Sequence, residues 1–357
     1  MFNSEQFNEV KEKICLPLID NGYEVFIVGG AIRNTILGLP VEEFDLTTNA
    51  TPKEIEACFD KTIPTGKAFG TITVLIQNGS GSGCNSYEIT TYRSESAYSD
   101  SRHPSQLQFE TSIHNDLKRR DFTINAMAYN PVSSEFIDNY AGIADIQAKR
   151  IRTIGDAKDR FSEDTLRIFR ACRFAATLSF ELDETIETVI KQMAPSFTLP
   201  SAERIGSELN KLMRAKLPSK LLKAMKNWGL LERISVCFEC VSDQKIAAID
   251  CTKLSLRWAT LLEKSNYQVI GKALRFSRKQ MRTIHLLIQA NLDKKKAFAS
   301  VKQLNISSFE LMKLGYKGRG LGNIQKKLLM HILENPNDNE LDILLSLARK
   351  ESENESK

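Results

Sequence analysis

The sequence predicts an α+β chain: a small mixed sheet with flanking helices at the N-terminal end, followed by an all-helical remainder. Three observations carry this reading. Apolar, β-branched runs at 24–28, 69–76 and 86–93 are separated by turn residues, as strands are. Beyond Ile154 the apolar residues recur at helical spacing almost to the C-terminus. The chain has 357 residues, room for two or three domains at roughly 150 residues each.

Residues 4–21 read as an amphipathic helix with apolar Phe7, Val10, Ile14, Leu16 and Ile19. Glu24-Val25-Phe26-Ile27-Val28 is a short buried strand, and Gly29-Gly30 follows at once. Residues 31–37 are helical and stop at Gly38, a C-cap. Pro40 opens a turn. A second strand then carries Glu43 and Asp45, one residue apart, and Leu46-Thr47-Thr48. Thr51 caps a helix with Pro52 in its first turn, running to about Cys58. The strands at 69–76 and 86–93 are joined by Asn78-Gly79-Ser80-Gly81-Ser82-Gly83, a hairpin connection. Residues 94–105 are polar and without period, which reads as a loop. Residues 116–127 read as a helix or helix-like turn rich in paired charges. Pro195, Pro200 and Asn335-Pro336 separate the later helices.

The composition, 42% apolar and 26% charged, is that of an ordinary globular protein. A net charge of +5 permits a nucleic-acid partner without demanding one. No apolar run reaches the ~18 residues of a membrane span. The polar, acid-containing N-terminus is not a signal peptide, so the expected location is the cytoplasm. Seven cysteines then read as reduced thiols. Cys237 and Cys240 form a CxxC with Cys251 nearby, but no fourth ligand is close. They read as packed helix cysteines rather than a zinc site. The four histidines form no adjacent His-Asp pair with further ligands, which excludes an HD-type phosphohydrolase.

Chemistry concentrates between Tyr23 and Thr48. Gly29-Gly30 lets backbone approach phosphate oxygens, and the helix behind it presents free N–H groups. Residues i and i+2 of a strand share a face, so Glu43 and Asp45 can meet one pair of hard cations. Phosphate cradle and paired carboxylates together are the layout of a metal-dependent nucleotidyltransferase. Glu88, on the strand after the hairpin, is either a third carboxylate or an exposed strand acid. Ser162 can N-cap a helix on which Asp164, Arg167, Arg170 and Arg173 recur every three residues. That row reads as a surface ladder of ion pairs or as a reader of a base edge, with arginines for a triphosphate. By themselves the residues favour the ladder.

Taken together, these stretches resemble the class II tRNA nucleotidyltransferases, the CCA-adding enzyme and poly(A) polymerase family of the DNA polymerase β superfamily. The resemblance rests on GGAIRNTILG, EEFDLTTNATP, GKAFGTITV, EITTYR, YSDSRHP, DLKRRDFTINAMAYN, the EDTLR helix and the segment from Glu203 to Leu231, in that order. It covers at least residues 20–235. The stretch from Gly320 to Lys350 is also similar to the last helices of bacterial members. The chain departs from the family at Glu43, where aspartate is usual, and at Asn34, also usually aspartate.

The resemblance implies a polymerase β-like catalytic head over 1–145, a base-reading neck over 146–236 and a tRNA-binding body and tail over 237–357. It implies that Gly29, Gly30 and Arg33 meet the nucleotide phosphates and that Arg120 contacts the nucleotide. Glu43 and Asp45 would hold two magnesium ions; Glu88 is the further candidate catalytic acid from the strand reading above. Asp164 and Arg167 would read the incoming base without a template, and Arg170 and Arg173 would support the nucleotide. The loop from Tyr98 to Pro104 resembles the one that lets such enzymes switch to adding A. Basic residues recur in the C-terminal half, among them Arg278, Lys279 and Arg282, Lys294 to Lys296, and Lys317, Arg319, Lys326 and Lys327. The last four are the expected RNA contacts. The expected partners are the tRNA 3′ end, ATP and CTP, and no membrane. The expected activity is CCA addition. The alternatives are A addition alone, poly(A) synthesis, or a catalytically weak tRNA-binding protein, the last suggested by Glu43 and Asn34.

Overall fold

The computed structural model describes residues 2, 5–77, 84–98, 104–109, 112–263, 265–289, 304–335 and 338–355. The Asn78–Gly83 connection, the centre of the 98–104 loop and Lys294 to Lys296 lie outside the described residues. The chain divides into two compact units. One comprises residues 1–175 and 179–200, the other 176–178 and 201–357.

The first unit is built on a seven-stranded mixed sheet of order β3-β4-β5-β2-β1-β8-β9. Its strands are β1 (Val25–Val28), β2 (Asp45–Thr48), β3 (Thr62–Gly66), β4 (Thr71–Gln77), β5 (Cys84–Thr91), β8 (Ala128–Tyr129) and β9 (Phe136–Ile137). A separate hairpin pairs β6 (Arg93–Tyr98) with β7 (Pro104–Phe109). The described residues of the 94–105 segment, 94–98 and 104–105, are therefore paired strand, not the irregular loop their polarity suggested. β1 is buried along its whole length, as its unbroken apolar run requires. Phe26 and Val28 pack with Tyr92, Ile113 and Leu117 in one cluster.

Helices α1 (Glu5–Val10) and α2 (Leu16–Asp20) are joined by a π-helical turn at Lys11–Cys15. Pro17 has no N–H to donate, and the wide turn precedes it. The extra residue rotates the buried face from Phe7, Val10 and Ile14 onto Cys15 and Leu18. Leu16 and Ile19, expected in the core, are only half-buried. α3 (Gly30–Ile36) follows β1 directly, and α4 (Pro52–Cys58) starts at the expected cap. There the Glu54 carboxylate accepts from the Thr51 N–H and hydroxyl, both at 2.7 Å, in a capping box. The 116–127 stretch divides into α5 (Ile113–Lys118) and a 3₁₀ turn at Thr123–Asn125, not one helix. α6 (Gly142–Gln147), α7 (Ala157–Glu163), α8 (Leu166–Leu178) and α9 (Glu184–Met193) follow.

The second unit has no strand among its described residues and is built of helices: α10 (Ala202–Leu212), α11 (Ser219–Asn227), α12 (Leu230–Ile234), α13 (Asp243–Ala248), α14 (Arg257–Leu261), α15 (Tyr267–Ala273), α16 (Arg278–Gln289), α17 (Ser308–Lys313), α18 (Gly318–Glu334) and α19 (Leu341–Glu355), joined by turns and short 3₁₀ segments. The sequence-predicted change from mixed sheet to helices is thus observed. Its last three helices close on Leu311, Tyr316, Ile324, Leu328, Ile332 and Leu344. No described helix is long and apolar enough to cross a membrane.

Candidate active site

Strand pairing alone brings the first acid to the glycine turn. Val28, the last residue of β1, is the antiparallel partner of Asp45, the first residue of β2. Gly29 leaves β1 with φ 69°, a conformation that disfavours any residue with a Cβ. A Cβ there would lie 3.4 Å from Arg120 Nη1 and 3.7 Å from Asp45 Oδ2. The turn, the carboxylate and a guanidinium therefore occupy one small space.

β2 runs parallel to β5, and this register pairs Asp45 with Glu88. Glu88 is thus the acid beside Asp45 on the neighbouring strand, while Glu43 stands just before β2 and is exposed. Asp45 reaches solvent, yet protein atoms crowd it. Burial pushes its carboxyl up, Glu43 adds to this, and Arg120, Arg170 and Arg33 pull against it, leaving it above the ordinary range. Glu88 is raised by burial, then by Asp45 and Glu43. Asp45 and Glu88 both feel the charge of Glu43, and Glu88 also feels that of Asp45. Hard carboxylate oxygens whose charged forms are mutually disfavoured suit a hard divalent cation. Among the described residues no three His, Cys, Asp or Glu side chains converge closely enough to hold an ion by themselves. The fit is that of a site whose remaining ligands come from substrate and water.

Arginines face the acids. Arg33 on α3 is 9% exposed. Its guanidinium donates to Asn34 Oδ1 (3.2 and 2.9 Å) and to Asn125 Oδ1, all uncharged acceptors. Asn34 also donates to the Pro40 carbonyl at 3.0 Å, so it ties Arg33 to the turn before β2. Burial, then Arg173, lower the Arg33 pKa to about 10. Arg170 forms a two-pronged pair with Asp121 Oδ2 (2.7 and 2.6 Å). Burial opposes ionisation of Asp121, but Arg170 and the Asn125 amide hold it at about 2. Buried Asp116 takes Arg119 (2.7 Å) and Arg120 (3.0 Å). That leaves the buried Arg120 Nε without a protein partner.

The residues expected to read the base are arranged differently from expectation. Ser162 is inside α7, its hydroxyl donating to Lys158 at 2.7 Å, and caps nothing. The chain breaks at Asp164 (φ −143°, ψ 103°), between α7 and α8. Asp164 therefore does not share a helix with Arg167, Arg170 and Arg173. Its Oδ1 accepts from the Leu166 N–H at 3.0 Å, which starts α8. Arg167 is buried, donating to Glu163 and to the carbonyls of Arg160 (3.0 Å) and Arg119 (3.2 Å). Sequence reasoning overlooked Asp116, Asp121 and Asn125. The only signal was the charge alternation of residues 116–125.

In the second unit Lys317 precedes α18 and Arg319 lies in its first turn, both exposed. Lys326 and Lys327 are exposed further along, and Lys327 pairs with Glu351 on α19. The turn before α18 is anchored: Tyr316 is buried and its hydroxyl donates to the Ala348 carbonyl at 2.7 Å. Gly318 and Gly320 belong to the first turn of α18.

A mixed sheet presenting a glycine turn, paired carboxylates and arginines defines a nucleotidyltransferase head. Residues 25–152 match the Poly A polymerase head domain, and residues 179–235 match the probable RNA and SrmB-binding site of polymerase A. The chain belongs to the family of CCA-adding enzymes and is a nucleotidyltransferase. It is 39% identical to a Staphylococcus aureus CCA-adding enzyme over 286 residues, covering 80% of this chain and 68% of the relative. A Streptococcus pyogenes CCA-adding enzyme is 41% identical over 215 residues, 59% of this chain and 52% of that one. The fold is that of the Bacillus stearothermophilus CCA-adding enzyme solved with CTP (TM-score 0.65, 23% identity, 99% of each chain). It is also that of the Thermotoga maritima enzyme solved with tRNA (TM-score 0.60, 19% identity, 96% and 95%). Family membership implies dependence on a divalent metal.

Proposed function

We propose that this chain adds C, C and A in turn to the 3′ end of tRNA, from CTP and ATP and without a template, in the cytoplasm. The observation that carries the reading is the meeting of Gly29, Asp45 and Arg120 at the end of β1, with Glu88 beside Asp45. Two Mg²⁺ ions, when bound, would lower the pKa of the RNA 3′-hydroxyl and stabilise the departing pyrophosphate. Asp45 and Glu88 would hold them, with Glu43 reaching in from outside the strand.

The chain's own part is positioning and charge neutralisation. Gly29-Gly30 lets the triphosphate come close to backbone. Arg33, Arg120, Arg170 and Arg173 meet its charge. Cytosine and adenine each offer an exocyclic amino donor beside a ring-nitrogen acceptor. Asp164 accepts from the first and Arg167 donates to the second, and uracil and guanine invert this pattern. Residues 1–145 act as the catalytic head and 146–236 as the base-reading neck. Residues 237–357 bind tRNA by shape, with Lys317, Arg319, Lys326 and Lys327 on phosphates.

The test gives purified protein three tRNAs, ending at the discriminator base, at C and at CC, with Mg²⁺ and each labelled nucleotide. CCA growth on the shortest acceptor supports the reading. Growth only from the CC end makes it an A-adding enzyme, and long A tails make it a poly(A) polymerase. Binding without incorporation sinks the enzyme reading.

A further inference from the structure

Three arginines of the site gather on one aromatic ring. The guanidinium of Arg173 lies 3.6 Å from the centroid of Phe174, that of Arg33 5.0 Å and that of Arg170 5.4 Å. Phe174 itself is 5% exposed. Phe122 packs edge-on against it, with centroids 5.7 Å apart and planes at 80°, which fixes the ring plane. Arg170 and Arg173 come from the same helix as the ring, whereas Arg33 comes from α3, behind the glycine turn. Arg33 donates to Asn34 and Asn125, and Arg170 donates to Asp121, which the Asn125 amide also reaches at 3.1 Å. Like charges this close repel one another, and the negative face of an aromatic ring offsets that repulsion.

We propose that Phe174 is a positioning residue whose ring holds Arg33, Arg170 and Arg173 as one preorganised receptor for the polyphosphate of the incoming nucleotide. This rests on the nucleotidyltransferase reading above and deepens it. Phe174 touches no substrate. It acts through the electron density of its ring, so volume alone does not replace it.

The experiment replaces Phe174 by phenylalanines carrying one, two and three ring fluorines, which withdraw charge from the ring face at nearly constant shape. Binding of inorganic tripolyphosphate is measured by calorimetry, and KM and kcat are measured with CTP and ATP. The tripolyphosphate Kd and both KM values are expected to rise step by step, to about tenfold at three fluorines. The kcat and the preference for C and A are expected to stay within about twofold. An unchanged heat-unfolding midpoint shows that the variants fold. A flat series in Kd and KM overturns the proposal, because a ring that merely fills space does not sense fluorination. If the unmodified chain incorporates no nucleotide, the reading under Proposed function fails, while the tripolyphosphate series still decides the role of Phe174.

Discussion

Asp45 and Glu88 are register partners on neighbouring parallel strands, and the charge of Asp45 helps to push the Glu88 carboxyl above its ordinary range. Two acids that disfavour each other's ionisation are stabilised together by a shared cation. Glu88→Gln keeps the shape and removes one charge. We expect it to weaken Mg²⁺ activation and to lower single-turnover incorporation by about 10²-fold. A Mg²⁺ titration with unchanged midpoint and rate would show that Glu88 is only an exposed strand acid.

The same pair predicts how Mg²⁺ stabilisation varies with pH. The folded carboxyls of Asp45 and Glu88 titrate above their unfolded values. Without metal, the folded state therefore binds more protons, and these two groups cost stability as pH rises through that window. Mg²⁺ binds the ionised forms, so its stabilising shift should grow over the same rise. Heat-unfolding midpoints with and without Mg²⁺, from about pH 4 to about pH 8, check this. A shift independent of pH, or one retained in Asp45→Asn, contradicts it.

Asn125 links two parts of the site, accepting from Arg33 and donating to Asp121 Oδ1 at 3.1 Å. Asn125→Ala leaves a buried guanidinium N–H without its acceptor, at about 1–3 kcal/mol. The expected result is a KM for CTP and ATP raised about tenfold. An unchanged KM would mean that Arg33 is held without it.

How much of this was legible in the sequence follows from the range of each interaction. The Gly29-Gly30 turn, the acids on either side of Phe44 and the Thr51 cap are local, and local spacing reports them. The pairing of Asp45 with Glu88 depends on a parallel register between strands far apart in the chain, which no short-range pattern encodes. Residues 116–125 carry charges at helical spacing, but only Asp116 pairs within its own turn; Asp121 pairs with distant Arg170, and the chain after it forms a 3₁₀ turn. The helix break at Asp164 was hidden for a related reason. Ser162 looks like a cap but lies inside α7, and the Asp164 carboxylate instead accepts from the Leu166 N–H at the start of α8.

Base choice gives a further prediction. Asp164 and Arg167 lie one turn apart across that break, the Arg167 N–H donating to the Asp164 carbonyl at 2.9 Å. Removing either side chain should lower the preference for C and A over U and G by about 1–3 kcal/mol, the worth of a good bidentate contact. Incorporation of all four nucleotides by Asp164→Ala and Arg167→Ala measures it. Selectivity equal to that of the unmodified chain would show that the base is read elsewhere.

The most direct test of the account is a single-turnover measurement of labelled CMP addition to a tRNA ending at its discriminator base, comparing the unmodified chain with Asp45→Asn. The account predicts rapid addition by the first, a loss of at least about 10³-fold in the second, and tRNA affinity equal within about twofold. Turnover by Asp45→Asn at the unmodified rate would contradict it.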